Sequence, residues 1–281
     1  MSNTPVVSPQ WLRENLHNPE VVIVDCRFSL PDPTLGQQQY QVSHIPGACY
    51  LDLNEDLSSP VGEHGGRHPL PNADELATKL GKIGITNQKS FVVAYDDSRF
   101  AFAARLWWLL RYLGHEQVAV LDGGFAGWQQ AGYPVTNEIP TPPITQFVPQ
   151  IQAEKAVDYS YVKNHKDSPE VVLVDSREGD RYRGEREPTD KIAGHIPGAV
   201  NYPWPEVTDT AGYLQPTAVQ QQRWQHIATA EEILVYCGSG VTACVNLISL
   251  EVAGIKTGKL YVGSWSDWIT YDENDISRQS V

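Results

Sequence analysis

Cys237 opens the run Cys237-Gly238-Ser239-Gly240-Val241-Thr242-Ala243, directly after the apolar stretch from Ile233 to Tyr236. Beyond it, Val241, Cys244, Val245, Ile248 and Val252 recur with helical spacing. The thiol therefore sits where a buried strand turns into a helix. Gly238 and Gly240 let the loop curl so that several N–H groups face one point, and the helix N-terminus adds its positive end. Such a cradle favours a negative sulfur and draws a thiol below its free pKa of about 8.5. The thiolate is the nucleophilic form, so the expected chemistry is attack by the Cys237 sulfur, with Gly238, Gly240, Val241 and Thr242 walling the bound group.

Two other thiol chemistries fit less well. A Cys-x5-Arg phosphatase needs arginine where this chain has Ala243, and no local signature of a thiol protease is present. Cys26, Cys49 and Cys244 are expected to be small buried hydrophobes. Cys244 falls about two helical turns beyond Cys237, roughly 10 Å along the axis, too deep for a resolving thiol. With no Cys-x-x-Cys pair and no zinc-type histidine spacing, no zinc site is expected.

The elements that position Cys237 occur twice. Val21-Val22-Ile23-Val24-Asp25-Cys26-Arg27 returns as Val171-Val172-Leu173-Val174-Asp175-Ser176-Arg177, and His44-Ile45-Pro46-Gly47-Ala48 returns as His195-Ile196-Pro197-Gly198-Ala199. Val92 to Tyr95 matches Ile233 to Tyr236, and Gly-Gly-Phe-Ala-Gly-Trp from Gly123 matches Gly-Ser-Trp-Ser-Asp-Trp from Gly263. Four landmarks in one order imply two homologous domains, expected over 1–138 and 153–281 with a proline-rich, stiff linker over 139–152. Continuous apolar runs at 21–24, 91–95, 118–121, 171–174, 233–236 and 259–262 read as strands buried on both faces. Helical patterns separate them, as at 72–80 with Asn72 as N-cap, and at 102–113 with Gly114 as the stop. The expected fold class is α/β, a mainly parallel sheet flanked by helices in each domain, with ligands beyond the carboxyl ends of the strands.

The bulk numbers agree with this and exclude other classes. The 281 residues suit two domains, and 21 basic against 34 acidic residues give a net charge of −13. A chain this acidic, without a basic run, is not expected to bind nucleic acid or an anionic membrane. The start, Met1 to Val7, has neither a basic nor an apolar targeting segment, and no apolar stretch approaches the roughly 18 residues of a membrane span. Sparse cysteine suggests the cytoplasm.

The Cys-Gly-Ser-Gly-Val-Thr-Ala loop, the paired His-Ile-Pro-Gly-Ala motifs and the Gly-Ser-Trp-x-x-Trp motif together resemble the tandem-domain rhodanese family of thiosulfate and 3-mercaptopyruvate sulfurtransferases, over about residues 8 to 272. The resemblance implies two rhodanese-like domains, with an active second and an inactive first. At the position of Cys237 the first copy has Asp96, in Asp96-Asp97-Ser98-Arg99-Phe100, without thiol or glycine and not expected to form the same cradle. That domain is expected to be structural or to wall a cleft. The implied reaction carries sulfur from a small-molecule donor on Cys237 as a persulfide, then passes it to cyanide or to a thiol such as thioredoxin, and calls for no metal or organic cofactor. A monomer is expected.

Within the family, basic residues after the cysteine accompany thiosulfate, whereas the uncharged loop here resembles the mercaptopyruvate enzymes. The expected donor is 3-mercaptopyruvate. Thiosulfate is the alternative, and a non-catalytic persulfide carrier the other class. The resemblance implies a serine–histidine–aspartate relay, for which Ser239 and His44 are the matching candidates and Asp32 a weaker third. It also implies that Arg181, in Asp180-Arg181-Tyr182-Arg183-Gly184, binds the donor's carboxylate. A second family arginine is missing, since Thr189 stands in its place, and Arg186 is the expected substitute.

Overall fold

The computed structural model describes residues 4–87 and 89–278. Met1, Ser2 and Asn3, part of the segment read for a targeting signal, lie outside the described residues. The chain forms two compact units. Unit 1 takes the residues up to Ser59, with Pro71–Gln152 and Thr208–Leu214; unit 2 takes Pro60–Leu70, Ala153–Val207 and the chain from Gln215 onward. Each unit thus contains a short segment drawn from the other half of the sequence.

Unit 1 holds β1 (Val6–Val7), β2 (Val21–Asp25), β3 (Cys49–Tyr50), β4 (Phe91–Tyr95) and β5 (Val118–Leu121), in the order β1-β5-β4-β2-β3. Unit 2 repeats this with β6 (Ala156–Val157), β7 (Val171–Asp175), β8 (Val200–Asn201), β9 (Glu232–Tyr236) and β10 (Gly258–Tyr261), in the order β6-β10-β9-β7-β8. All pairings are parallel, and the registers agree, with Asp25 beside Tyr95 and Asp175 beside Tyr236. The long strands lie where the apolar runs place them. The two-residue strands β1, β3, β6 and β8 are too short to show periodicity.

The central strands are buried because helices cover both faces. Ile23, Val93, Ala119 and Trp128 build one core, and Leu173, Leu234, Tyr261 and Trp265 the other. The helix Ala73–Lys82 starts where Asn72 accepts the N–H groups of Asp74 and Glu75, as its N-cap position requires. The helix Ala103–Tyr112 stops before Gly114, which takes φ +82°. The proline-rich stretch belongs to unit 1: Thr145 N–H donates to Gly81 O, Gln150 N–H to Leu113 O, and Phe147 is buried. No helix among the described residues is long and apolar enough to cross a membrane.

The duplicated Asp-x-Arg and His-Ile-Pro-Gly motifs form the same joint in both units. Arg27 grips Asp25 through Nε and Nη2 and donates to Ser43 O; Arg177 grips Asp175 and donates to Gly194 O. The Tyr95 hydroxyl donates to Asp25 and accepts the Ile45 N–H, and the Tyr236 hydroxyl accepts the Ile196 N–H. His44 and His195 each stack on a tyrosine, Tyr40 and Tyr182, and each pairs through its Nδ1 with that tyrosine's carbonyl. Gly47 and Gly198 close the turn at φ +80° and +86°, where a side chain would be strained.

Candidate active site

Cys237 follows β9 at its carboxyl end and is almost fully buried. Its N–H donates to Ser264 Oγ at 3.2 Å, and its carbonyl accepts from Trp265 N at 3.0 Å. Gly238 O accepts from Ser266 N at 2.9 Å. The Gly-Ser-Trp-Ser-Asp-Trp turn thereby holds the loop from below. Ser264 does this at φ +56°, a left-handed conformation that costs an ordinary residue about 1–2 kcal/mol, with its hydroxyl also donating to Tyr261 O. Gly240, at φ +77°, completes the curl into the helix Ala243–Val252.

The first copy displays what this loop is built to hold. The Asp96 carboxylate accepts the N–H groups of Ser98, Phe100, Phe102 and Ala103 at 2.8–3.1 Å. Burial pushes its pKa up, against the pull of the Ala103, Ser98 and Phe102 amides. The expectation that this loop forms no cradle is therefore corrected: it forms one without glycine, with Arg99 and Phe100 at φ +59° and +72°, and its own aspartate fills it. Ser239, Val241 and Ala243 stand in register with Ser98, Phe100 and Phe102. Among the described residues their N–H groups have no acceptor in the protein. The second cradle is open at Cys237.

Ser239 is buried and its Oγ lies 2.7 Å from Nδ1 of His68, also buried. The histidine paired with Ser239 is thus His68 rather than His44. His44 pins the His-Ile-Pro-Gly joint in unit 1: its Nδ1 faces Tyr40 O at 2.6 Å and its Nε2 faces Glu138 O at 3.1 Å. Asp32 is exposed and caps a turn by accepting the N–H and hydroxyl of Thr34. His68 belongs to neither repeated motif. Its signal in the sequence is Gly65-Gly66-Arg67-His68-Pro69, a glycine-rich stretch of the first half without counterpart in the second.

That stretch is fastened to the same turn that holds the cysteine. Gly65 N–H donates to Asp267 Oδ1 at 2.7 Å and Arg67 N–H to Ser266 Oγ at 3.1 Å, while the Tyr261 hydroxyl donates to Asp267 Oδ2. The matching residues of the first copy are Gly127 and Ala126, which offer no such acceptors. There Tyr213 packs instead, so close that a β-carbon on Gly127 would lie 2.8 Å from its hydroxyl.

Arg181 lies beside the loop, its guanidinium held by Glu187 at 2.7 Å and by Asp190 at 3.5 Å. Arg186 does not join it. Its side chain is half exposed and paired with Asp180 at 2.6 Å. Thr189 is exposed and donates its N–H to Glu187. Cys244 is buried, with Sγ 3.5 Å from Gly240 O, as a core residue of the helix.

The Rhodanese-like domain model matches residues 8–131 and 158–271. The chain is 43% identical over 275 residues to a probable 3-mercaptopyruvate sulfurtransferase of Pseudomonas aeruginosa, covering 96% of each chain. It is 31% identical to the thiosulfate sulfurtransferase of Rattus norvegicus, covering 94% of this chain and 91% of the other. The solved 3-mercaptopyruvate sulfurtransferase structure from Leishmania major superposes with a TM-score of 0.84 at 29% identity, covering 95% of this chain and 75% of that one. Two parallel sheets of one order, a cysteine entering an open backbone cradle and these matches agree: the chain belongs to the rhodanese family, in its two-domain form.

Proposed function

We propose that the protein is a sulfurtransferase that takes sulfur from 3-mercaptopyruvate onto Cys237 and gives it to a thiophilic acceptor. The Cys237 thiolate attacks the donor's sulfur; an S–S bond forms and the C–S bond breaks, leaving its electron pair on carbon as the enolate of pyruvate. The donor's thiol proton must then reach that carbon. The product is pyruvate and a Cys237 persulfide anion, which the amides of Ser239, Val241 and Ala243 are placed to stabilise. Cyanide or a thiolate next attacks the outer sulfur, and the Cys237 thiolate leaves.

The observation that carries the choice of donor is the 2.7 Å contact between Ser239 and His68. A proton must travel when carbon is the leaving atom, and a buried hydroxyl–imidazole pair is suited to moving one. Thiosulfate would release sulfite, which needs no proton. The loop itself, Gly238 to Ala243, carries no charged residue, as in the mercaptopyruvate enzymes that the sequence resembles. The names of the relatives leave both donors in view. Arg181, beside the loop, suits the donor's carboxylate.

Thiocyanate release with each donor tests this. Cys237→Ser is expected to abolish turnover of both. Ser239→Ala and His68→Asn are expected to lower kcat with 3-mercaptopyruvate by about 10²–10⁴-fold, leaving thiosulfate turnover near wild type. Equal losses with both donors would remove the proton-relay reading, and a wild-type preference for thiosulfate would overturn the donor. We extend the proposal to a cytoplasmic monomer that hands sulfur to a protein thiol such as thioredoxin. Four cysteines with no disulfide among the described residues support a reducing compartment.

A further inference from the structure

The family resemblance expects two arginines on the donor's carboxylate, and this chain has threonine at the second position, Thr189. Arg186, the nearest substitute in sequence, is spent on Asp180. Another guanidinium stands at the loop. A β-carbon built on Gly238, the residue after the nucleophile, would lie 3.0 Å from Arg67 Nη2 and 3.6 Å from Arg181 Nη2. Two arginines, one from each half of the sequence, thus converge on one face of the loop beside Cys237. We propose that Arg67 and Arg181 together form the subsite for the donor's α-keto carboxylate, with Arg67 taking the place of the family's second arginine.

The surroundings suit that role. Asp190 accepts from Arg67 Nη1 and lies 3.5 Å from Arg181 Nη2, so one buried carboxylate sets the spacing of both guanidinia. Burial pushes the Asp190 pKa up, and Arg67 is the strongest charge opposing that rise. Glu187 accepts from Arg181 and Arg177, which orients Arg181 further. The pairing leaves donors over: among the described residues Arg67 Nη2 and Nε have no hydrogen-bond acceptor, and guanidinium carries five N–H donors in a planar fork. The Arg67 side chain is 29% exposed, so a ligand can reach it from solvent. Its backbone is tied to Ser266 and, through Gly65, to Asp267, so the side chain starts from a rigid base. Gly238 is the residue that leaves room: a side chain there would fill the space under both guanidinia. A planar carboxylate bound by two forks is also what arginine does and lysine does not.

This inference rests on the 3-mercaptopyruvate reading and is tested separately from it. Arg67→Gln and Arg67→Lys would be compared with wild type in three assays. The first is steady-state turnover of 3-mercaptopyruvate; the second is inhibition by pyruvate, which carries the carboxylate without the sulfur. The third is attack of Cys237 on an uncharged organic trisulfide, read as the mixed trisulfide formed and the thiolate released, with thermal melting alongside. Arg67→Gln is expected to raise KM for 3-mercaptopyruvate and the inhibition constant of pyruvate together, by about 10- to 100-fold, with kcat and the trisulfide rate near wild type. Arg67→Lys is expected to fall between. KM and pyruvate inhibition within about twofold of wild type would overturn the proposal. So would an equal loss with the uncharged trisulfide in both variants, which would make Arg67 a structural staple. If wild type turned over thiosulfate alone, the donor reading would fail, and unchanged pyruvate inhibition in Arg67→Gln would then fail the subsite independently.

Discussion

Asp96 and Cys237 occupy one position in the two copies and face opposite fates. In unit 1 the carboxylate satisfies four amides of its own loop. Removing it leaves those buried donors without a partner, and each unsatisfied buried group costs about 1–3 kcal/mol before water or relaxation offsets it. Asp96→Ala is expected to destabilise the protein by about 2–4 kcal/mol, while Asp96→Asn, which keeps an acceptor, costs less. Urea unfolding of the two variants measures this; a loss under about 0.5 kcal/mol for Asp96→Ala would mean the cradle does not depend on its aspartate. The comparison also gives the physical sense of the active copy. A loop that binds a carboxylate of its own in one domain is a loop shaped for an anion in the other.

Among the elements, the turn Gly263 to Trp268 joins the loop of Cys237 to the segment that carries Arg67 and His68. Asp267 is its hinge pin, accepting Gly65 N–H and the Tyr261 hydroxyl. Asp267→Ala leaves both donors unpaired and frees the segment. KM for 3-mercaptopyruvate is expected to rise and kcat to fall, each by about 10-fold or more, because a misplacement of about 1 Å costs on the order of 10²-fold. Attack of Cys237 on an uncharged trisulfide, read as thiolate release, should fall less. Steady-state kinetics that match wild type would show that the segment holds its place without Asp267. The duplicated His-Ile-Pro-Gly joints are elements of another kind. They close a turn over a buried Asp–Arg pair in both units, with His44 and His195 each facing a tyrosine carbonyl.

For the whole molecule, each unit buries a histidine that is held neutral. Burial lowers the pKa of His115 in unit 1 and of His195 in unit 2, each against the pull of backbone carbonyls. Their unfolded values, near 6.5, lie above the folded ones. Above that pH neither state binds the proton and stability is unaffected. As pH falls below about 6.5 the unfolded chain takes up protons that the folded chain refuses, and stability is lost until the folded pKa values are passed. The melting temperature is therefore expected to fall from about pH 6.5 toward pH 5, and His195→Gln to flatten part of that slope. A melting temperature constant over this range would contradict the assignment of both histidines as buried neutral groups.

Much of this was legible in the amino-acid order, because it depends on local pattern. Apolar runs bounded by turn residues mark the long strands, and the repeat of four motifs reveals two domains of one fold. The glycine-flanked Cys237, at a strand end, marks the nucleophile's position. The two-residue edge strands left no periodicity to read. Neither the partner of Ser239 nor the guanidinium beside Gly238 could be found this way, since His68 and Arg67 lie some 170 residues from the cysteine loop. Sequence proximity favoured Arg186, and the family resemblance pointed to His44. The tertiary structure decided otherwise, because Asp267 and Ser266 capture a segment of the first half and set its side chains against Gly238 and Ser239. Which residues meet across such a distance is settled by packing and by where buried donors find acceptors, and no local pattern carries that information.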